Sequence, residues 1–373
     1  MGVLTAQSRS VGLDIGTTGI RAVELKYNAK KAEYELVRAL SVDFELGEPG
    51  RNTARTSEKA TKSLKSLWRK GRFSTRKVTF AAHPTAVLSR QSELPWMPPE
   101  DFAAALPYQV QDLLPVDIAT LVVDYQILED GAESGKNKIL LIASDSQAIT
   151  AESQLVRKAH LTPVAADSSA LALIRTTCKG SMRTAQPVTA IVDIGVSQIT
   201  IVVHDNGTPT LIRTLSNLGI NSALESLVRE LDLDWQQAWE LVWGSGLESE
   251  VPNIAPIDES SIFATVSPAS PALDPRTDSV NAILGTWASA LVREVRDSVD
   301  YYRSGNQVAP VEKIVLTGRS AFIPGLENRM ATQIPLPVEL LAPLAGLAHS
   351  PKVRAADFTD GRFAVAIGLA MTT

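Results

Sequence analysis

A hairpin pattern near the start of the chain constrains the fold more than any other feature. Residues 11–25 read VGLDIGTTGIRAVEL: an apolar strand carries Asp14, turns at residues 16–19 (Gly-Thr-Thr-Gly) and returns as a second alternating strand. Small residues at the tip let backbone N–H groups approach a phosphate, and the two hydroxyls add donors. An acid beside them is suited to ordering water around Mg²⁺. On its own, this stretch is equally typical of an ordinary hairpin.

The same pattern recurs half a chain later. Residues 188–204 read VTAIVDIGVSQITIVVH, in which Asp193 and Gly195 follow an apolar strand and Thr200 opens the returning strand. A third apolar run, residues 313–325 (KIVLTGRSAFIPG), ends in a Thr-Gly turn before a predicted helix. Repetition at this distance predicts a duplicated α/β fold with two lobes and a cleft between them.

The size and charge of the chain fit this prediction. Its 373 residues are 45% hydrophobic, enough for more than one core, and its formal net charge is −5, which argues against a nucleic-acid surface. The single cysteine, Cys178, cannot form an internal disulfide, and no apolar run reaches the roughly 20 residues that span a bilayer. We therefore expect a cytoplasmic protein without direct membrane insertion, whose link to any membrane would come through a partner.

One stretch departs from the acidic balance. Residues 59–77 contain eight Lys and Arg residues on a predicted helix and its exit. We favour a solvated helix face as the interpretation, and a membrane-surface or acidic-partner patch is the alternative.

The order of predicted elements divides the chain into five parts. They are a first lobe with the first hairpin (1–77), an α/β insert of that lobe (78–162), a crossover helix (163–187), a second lobe (188–360) and a closing helix (361–373) that returns to the first lobe. Within the second lobe, residues 244–276 are rich in Ser and Pro and predict a surface loop.

Three local details are also predicted. Pro107 should kink or restart the helix in which it lies, and Ser146 should cap the helix that it precedes. Trp235, Trp239 and Trp243 stand four residues apart, a spacing typical of a core stripe.

Several segments, spread over the chain in order, resemble one family. They are the proline-rich segment 82–100, LLPVD at 113–117, VVDYQIL at 122–128, PVAADSSALALIR at 163–175, EVRDSVDYYRS at 294–304 and FAVAIGLAM at 363–371. Together they resemble the PilM family, the cytoplasmic actin-like component of type IV pilus assembly. The FtsA family of cell-division proteins is a weaker match, because it ends in a basic amphipathic tail and this sequence ends in Met371-Thr372-Thr373.

The resemblance implies an actin-like, ribonuclease H-like fold whose cleft binds ATP and Mg²⁺. It implies that Asp14 and Asp193 hold a hydrated Mg²⁺. It also implies that the two hairpins, the segment after the third strand of the second lobe and the Thr-Gly turn supply the nucleotide-binding residues: Asp14, Gly16, Thr17, Thr18, Arg21, Asp193, Gly195, Thr200, Gly219, Thr317, Gly318 and Arg319. Asp167 is a candidate to orient an attacking water, or else a helix N-cap before Ser168. Any ATPase activity would rest on positioning and charge stabilisation and is expected to be weak.

The adenosine side of the predicted cleft departs from the family pattern. The usual TGGG sequence is Thr317-Gly318-Arg319-Ser320 here, which places side chains where backbone would approach a base. The usual AExxK-like motif reads AWELV at 238–242, without its acid and lysine in place. Arg319 is open to two interpretations, as an obstacle to a base or as a ligand of base or phosphate.

The resemblance also implies a partner. The insert would bind the cytoplasmic N-terminal peptide of a PilN-like inner-membrane protein, with residues 117–128 the natural place to look, and other pilus platform proteins and assembly ATPases would be further partners. A nucleotide-free adaptor of the same fold is one alternative. A sugar- or acetate-kinase-like phosphotransferase and an FtsA-like division protein are others, and the choice between a pilus and a secretion system stays open.

Overall fold

The computed structural model describes residues 7–44, 58–114, 116–178, 186–247, 275–305, 309–344, 347–349, 353 and 361–372. Its strands are β1 (Gln7–Gly16), β2 (Gly19–Asn28), β3 (Glu33–Asp43), β4 (Lys77–Ala81), β5 (Val87–Pro95), β6 (Leu121–Glu129), β7 (Lys136–Asp145), β8 (Thr162–Asp167), β9 (Thr189–Ile194), β10 (Ile199–Asp205), β11 (Thr208–Leu215), β12 (Lys313–Thr317), β13 (Val338–Leu340) and β14 (Ala348–His349). Its α-helices are α1 (Glu58–Gly71), α2 (Pro99–Val110), α3 (Ser146–Lys158), α4 (Ser169–Thr177), α5 (Asn221–Leu231), α6 (Trp235–Ser245), α7 (Pro275–Arg303), α8 (Leu326–Gln333) and α9 (Ala364–Ala370).

Each lobe is built on one mixed sheet. The first-lobe sheet has the strand order β14-β3-β2-β1-β4-β8, and the second-lobe sheet has the order β11-β10-β9-β12-β13. Both begin with three antiparallel strands, and in both a parallel strand, β4 or β12, pairs with the first strand of the three. The predicted duplication is therefore present in the strand order itself.

The closing helix α9 packs on the first lobe at two close approaches. Every residue of α9 is buried. A Cβ on Gly12 of β1 would lie 2.0 Å from the carbonyl oxygen of Ala366, so only glycine lets the helix backbone reach the strand. A Cβ on Gly368 would likewise lie 1.8 Å from the carbonyl oxygen of Ala172 in α4. These contacts hold α9 against the first lobe.

The tryptophan stripe of α6 belongs to the second-lobe core. Trp239 is buried, and Trp235 and Trp243 are partly buried against the same cluster. The rings of Trp239 and Trp243 stack with their centroids 4.2 Å apart. The spacing of four residues therefore marks a core face, as predicted.

A small sheet with the order β5-β7-β6 forms a separate unit with α2, and we call residues 87–145 the insert. Phe102, Leu106 and Val110 of α2 pack on Ile139 and Leu141 of the central strand. The predicted insert range 78–162 also contained β4 and α3. In the structure β4 pairs within the first-lobe sheet, and α3 packs in the same core as α1.

One local prediction was wrong, and one of the two alternatives in another is excluded. The helix α2 continues through Pro107 from Pro99 to Val110 without restarting. Pro107 and Ala103, whose carbonyl loses its helical partner, are both exposed, so water can satisfy that oxygen. The cap of α3 is Asp145 rather than Ser146: its carboxylate accepts a hydrogen bond of 2.8 Å from the Ala148 N–H.

The predicted loop 244–276 lies mostly outside the described residues. Among the helices of the described part of the chain, none combines the length and the hydropathy that a bilayer crossing requires.

Candidate functional site

The tip of the first hairpin points into the cleft between the lobes. The β1–β2 register pairs Gly16 with Gly19, which leaves Thr17 and Thr18 as a two-residue turn. Gly19 has φ +152°, and a Cβ there would lie 2.4 Å from the carbonyl oxygen of Val42. Glycine is therefore needed for the close approach of the turn to β3, as well as for the tip itself.

The tip of the second hairpin lies opposite the first. Residues 195–198 connect β9 to β10, and the Gly195 N–H donates to the Gln198 carbonyl oxygen at 3.0 Å. A Cβ on Gly219 would lie 2.2 Å from the carbonyl oxygen of Val196. Gly219 thus lets the chain after β11 press against the back of this loop.

The two tips and the turn after β12 enclose a cavity of about 100 Å³. Nine of the predicted site residues line it: Asp14, Gly16, Thr17, Thr18, Arg21, Asp193, Gly195, Gly318 and Arg319. Residues that the sequence analysis did not single out complete the wall: Ala81, His83, Pro84, Ser169, Val196, Ser197, Gln198, Gly361, Arg362 and Val365. Most of the predicted site therefore converges on one place.

Three of the remaining predicted residues support the wall from behind. Thr200 pairs with Asp193 across the β9–β10 ladder and is buried. Thr317 is buried, and its hydroxyl donates to the Gly361 carbonyl oxygen at 3.3 Å. Gly219 acts on the second loop only by its lack of a side chain. The role of each as a nucleotide contact stays a prediction.

Asp167 lies outside the cavity wall. Its carboxylate accepts hydrogen bonds from the Ser168 N–H at 2.7 Å and the Thr372 hydroxyl at 3.1 Å, and it forms an ion pair with Arg175. These contacts tie β8 to α4 and to the end of the chain. The role of Asp167 in orienting a water also stays a prediction.

Asp14 and Asp193 face the cavity from opposite lobes. Burial, together with the negative charge of Asp14, raises the pKa of Asp193 to about 7, although the Arg21 guanidinium acts in the opposite direction. Two acids held in this way suit a divalent cation that keeps several of its own waters. The described residues contain no cluster of three or more metal-ligating side chains, so protein ligands alone would not enclose an ion.

Asp43, at the end of β3, forms ion pairs with three arginines, one of which belongs to the other lobe. Its carboxylate lies 3.3 Å from the guanidinium of Arg21 on the adjacent strand β2 and 3.3 Å from that of Arg362, before α9. The third, Arg319, follows β12 of the second lobe and reaches Asp43 at 3.6 Å. The Arg319 guanidinium also lies over the Trp239 ring, 4.6 Å from its centroid.

Sequence reasoning missed Asp43 and Arg362. The glycine patterns identify loops, and these two residues belong to no such pattern. Asp43 ends an ordinary strand, and 319 positions separate it from Arg362. The link is visible only in the structure, where β3 leads back towards the first tip and the Phe44 N–H donates to the Thr18 carbonyl oxygen at 2.9 Å.

Comparison with known proteins identifies the fold and the family. The chain is similar to a chain of the "PilM-PilN type IV pilus biogenesis complex", with 21% identity and a TM-score of 0.79 over 97% of each chain. It is also similar to the ethanolamine utilization protein EutJ from Carboxydothermus hydrogenoformans, with 11% identity and a TM-score of 0.53 over 98% of this chain and 90% of that one. These similarities agree with the two-lobed actin-like α/β fold predicted from the sequence.

A family model described as type IV pilus assembly protein PilM matches residues 12–248 and 275–373. This match covers both hairpins, the insert and the closing helix, which are the segments that carried the resemblance. The chain therefore belongs to the PilM family of type IV pilus assembly proteins.

Proposed function

We propose that this chain is a cytoplasmic scaffold of a type IV pilus assembly platform, and that its insert holds the cytoplasmic N-terminal segment of a PilN-like inner-membrane protein. The surface of the insert carries this proposal. Among the described residues, eight large apolar side chains are exposed, and six of them lie in the insert: Leu88, Trp96, Tyr108, Val116, Val122 and Ile127. Such a concentration on one small unit is typical of a binding surface.

The charge of the insert supports the same partner. Residues 87–145 contain ten Asp and Glu against three Lys and Arg, a net charge of −7, whereas the whole chain has −5. Cytoplasmic segments beside membrane-spanning helices carry an excess of Lys and Arg. Because opposite charges speed encounter and select partners, the insert suits a short, basic and partly apolar juxtamembrane peptide. The similar chain named above was solved in a PilM-PilN complex.

Strand β6 is the proposed docking edge. It lies at the outside of the small sheet, and Val122 and Ile127 on it are 52% and 40% exposed. Gln126 of the same strand lines a cavity of about 150 Å³, together with Leu171 and Ile174 of α4. An extended peptide can add to such an edge by main-chain hydrogen bonds while an apolar side chain fills the cavity.

The test is the affinity for a fluorescent peptide with the partner's cytoplasmic N-terminal sequence. The double variant Val122→Lys, Ile127→Lys should bind at least about tenfold more weakly, because it removes apolar contacts and repels a basic peptide. Tyr301→Lys is the control, since Tyr301 is also an exposed large apolar residue, 71% exposed, and lies on α7 of the other lobe. Unchanged affinity in the double variant would rule out β6 as the docking edge.

We also propose that the cleft binds ATP with Mg²⁺. The donor set supports this ligand: Asp14 and Asp193 would hold the hydrated ion, and the two glycine-bounded tips and Arg21 would contact phosphates. Bound nucleotide would supply negative charge between the lobes. The chain's own residues would then orient the phosphates and exclude water, and hydrolysis, where it occurs, is expected to be slow.

Nucleotide entry requires the lobes to separate. A cavity of about 100 Å³ is well below the roughly 300–1,000 Å³ of ordinary small-molecule sites. The ion pair of Asp43 with Arg319 crosses the cleft, and the ion pair with Arg362 ties β3 to the segment before α9. We therefore expect Asp43→Asn to strengthen nucleotide binding, because it frees two guanidiniums for phosphate and loosens the tie between the lobes.

Calorimetric titration with ATP and Mg²⁺ tests this second proposal. Asp43→Asn should bind more tightly than the unaltered protein, and Asp14→Ala should lose binding. If neither the unaltered protein nor Asp43→Asn binds at millimolar ATP, the cleft is structural and the chain acts as a nucleotide-free adaptor. That result would also exclude a phosphotransferase.

A further inference from the structure

Helix α1 and its exit form a strongly basic surface that the proposed function does not use. Residues 58–77 contain eight Lys and Arg and a single acid, Glu58, a net charge of +7 in a chain of net charge −5. All eight basic residues are exposed: Lys59, Lys62, Lys65, Arg69, Lys70, Arg72, Arg76 and Lys77. Glu58 forms an ion pair of 2.9 Å with Lys62. Because Glu58 is the single acid of this segment, the surface keeps a large excess of positive charge.

The helix geometry places this charge on one side. At 100° per residue, the five basic residues within α1 fall in an arc of about 140°. They extend along about 17 Å of the axis, from Lys59 to Lys70. Ala60, Leu64 and Leu67 lie on the opposite side and are buried in the first-lobe core. The outward face is therefore polar throughout and fixed in place by the core beneath it.

We propose that this basic face of α1 binds the headgroups of anionic phospholipids and holds the protein flat on the inner membrane face. The inference rests on the proposed function, because a chain held by a juxtamembrane peptide lies beside the bilayer. The apolar side of α1 is buried, so the contact is electrostatic and without insertion.

The composition of the face favours a bilayer over an acidic protein. Protein interfaces normally have an apolar core inside a polar rim. The outward side of α1 offers Lys, Arg and Ser, and none of the eight exposed large apolar residues lies on it. A headgroup layer requires no apolar complement, and it engages several basic side chains at once. The acidic insert would be repelled by the same surface, which leaves it free for a basic peptide.

The experiment measures sedimentation of the full chain with lipid vesicles at low salt. Vesicles with 30% phosphatidylglycerol should bind the protein, and pure phosphatidylcholine vesicles should not. Each basic residue near an anionic surface changes the partition coefficient by about fivefold, so the variant with Lys62, Lys65, Arg69 and Lys70 all changed to Gln should bind at least about a hundredfold more weakly. Binding should also disappear in high salt.

A second quadruple variant provides the matched control. Lys30→Gln, Lys31→Gln, Arg229→Gln and Arg303→Gln remove the same net charge from exposed positions outside α1 and should leave vesicle binding unchanged. Both variants should bind the partner peptide in solution with the same affinity. If the partner proposal fails, the peptide measurement will reveal it, whereas vesicle sedimentation tests only the lipid proposal. Far-ultraviolet circular dichroism checks that both variants fold.

Three results would overturn the inference. The first is no binding of the unaltered protein to phosphatidylglycerol vesicles, and the second is equal loss of binding in the two quadruple variants. The third is that the unaltered protein binds no vesicles but associates with itself or binds a short DNA duplex, and that the α1 variant loses this association or binding. That last outcome would assign the face to an acidic protein or to a nucleic acid instead.

Discussion

The substitution Asp43→Asn tests whether side chains of this chain tie its lobes together. Asparagine keeps the size of the side chain and removes its charge. The carboxylate now pairs with Arg21 of the first lobe, Arg319 of the second lobe and Arg362 before the closing helix. One substitution therefore weakens every one of these contacts without creating a cavity.

The expected cost follows from the exposure of the partners. The Asp43 side chain is 41% exposed, and those of Arg319 and Arg362 are each 23% exposed, so their two pairs should contribute about 0.2–1 kcal/mol each. Arg21 is 5% exposed, and without Asp43 its hydrogen bonds are those to Gly19 and Thr18, at 3.3 and 3.4 Å. The loss of the Asp43–Arg21 pair should therefore cost more stability than the loss of either other pair. Together we expect a loss of about 1–2 kcal/mol in the free energy of unfolding.

Two measurements check this value. The thermal unfolding midpoint should fall by about 1–3 °C, and the radius of gyration from small-angle X-ray scattering should rise as the lobes separate. Asp300→Asn is the control, because its pair with Arg303 is 3.9 Å long and both side chains are about 60% exposed. If Asp43→Asn matches the control in both measurements, water satisfies the arginines and the tie between the lobes does not exist.

Two further predictions concern positions that support the cleft and the second-lobe sheet. Gly318→Ala should destabilise the protein at least twice as much as Gly135→Ala in urea denaturation. Both glycines have positive φ (+85° and +77°), but a Cβ on Gly318 would lie 2.4 Å from the Asp193 carboxylate, whereas Gly135 has open space; equal losses would contradict the steric argument. Burial lowers the pKa of His204 to about 4, so the folded protein keeps it neutral while the unfolded chain takes up a proton below about pH 6.5. Stability should therefore fall by about 3 kcal/mol as the pH drops from 6.5 to 4. His204→Asn should flatten that profile and the exposed His349→Asn should not; parallel profiles would show that His204 is not responsible.

The sequence predicted the parts of the site that are local and missed those that are not. The two hairpin tips follow from the order of apolar, acidic and glycine residues within about fifteen positions, and the structure brings them together. The alternation of polar and apolar residues along a strand does not predict whether Thr200 and Thr317 face the cavity or lie behind its wall. The contacts of Asp43 depend on how two lobes and the closing helix meet, which no local pattern encodes. The sequence also did not distinguish Asp145 from Ser146 as the cap of α3, because both residue types are good N-caps and they occupy adjacent positions.

The two departures from the family pattern on the adenosine side prove to be partners of each other. Trp239 stands where the pattern has an acid, and Arg319 stands where it has a glycine, yet the guanidinium lies over the ring of that tryptophan. In this structure the charge of Arg319 is shared between Trp239 and Asp43, and its role as a nucleotide ligand stays a prediction. Trp239 belongs to the second-lobe core, and Asp43 forms an ion pair with the buried Arg21 of the first lobe. A continuous series of side chains thus runs from one core to the other across the cleft. An anion that pairs with these arginines in place of Asp43 would interrupt that series. On the proposal that the cleft binds nucleotide, we therefore expect ligand entry and separation of the lobes to be coupled.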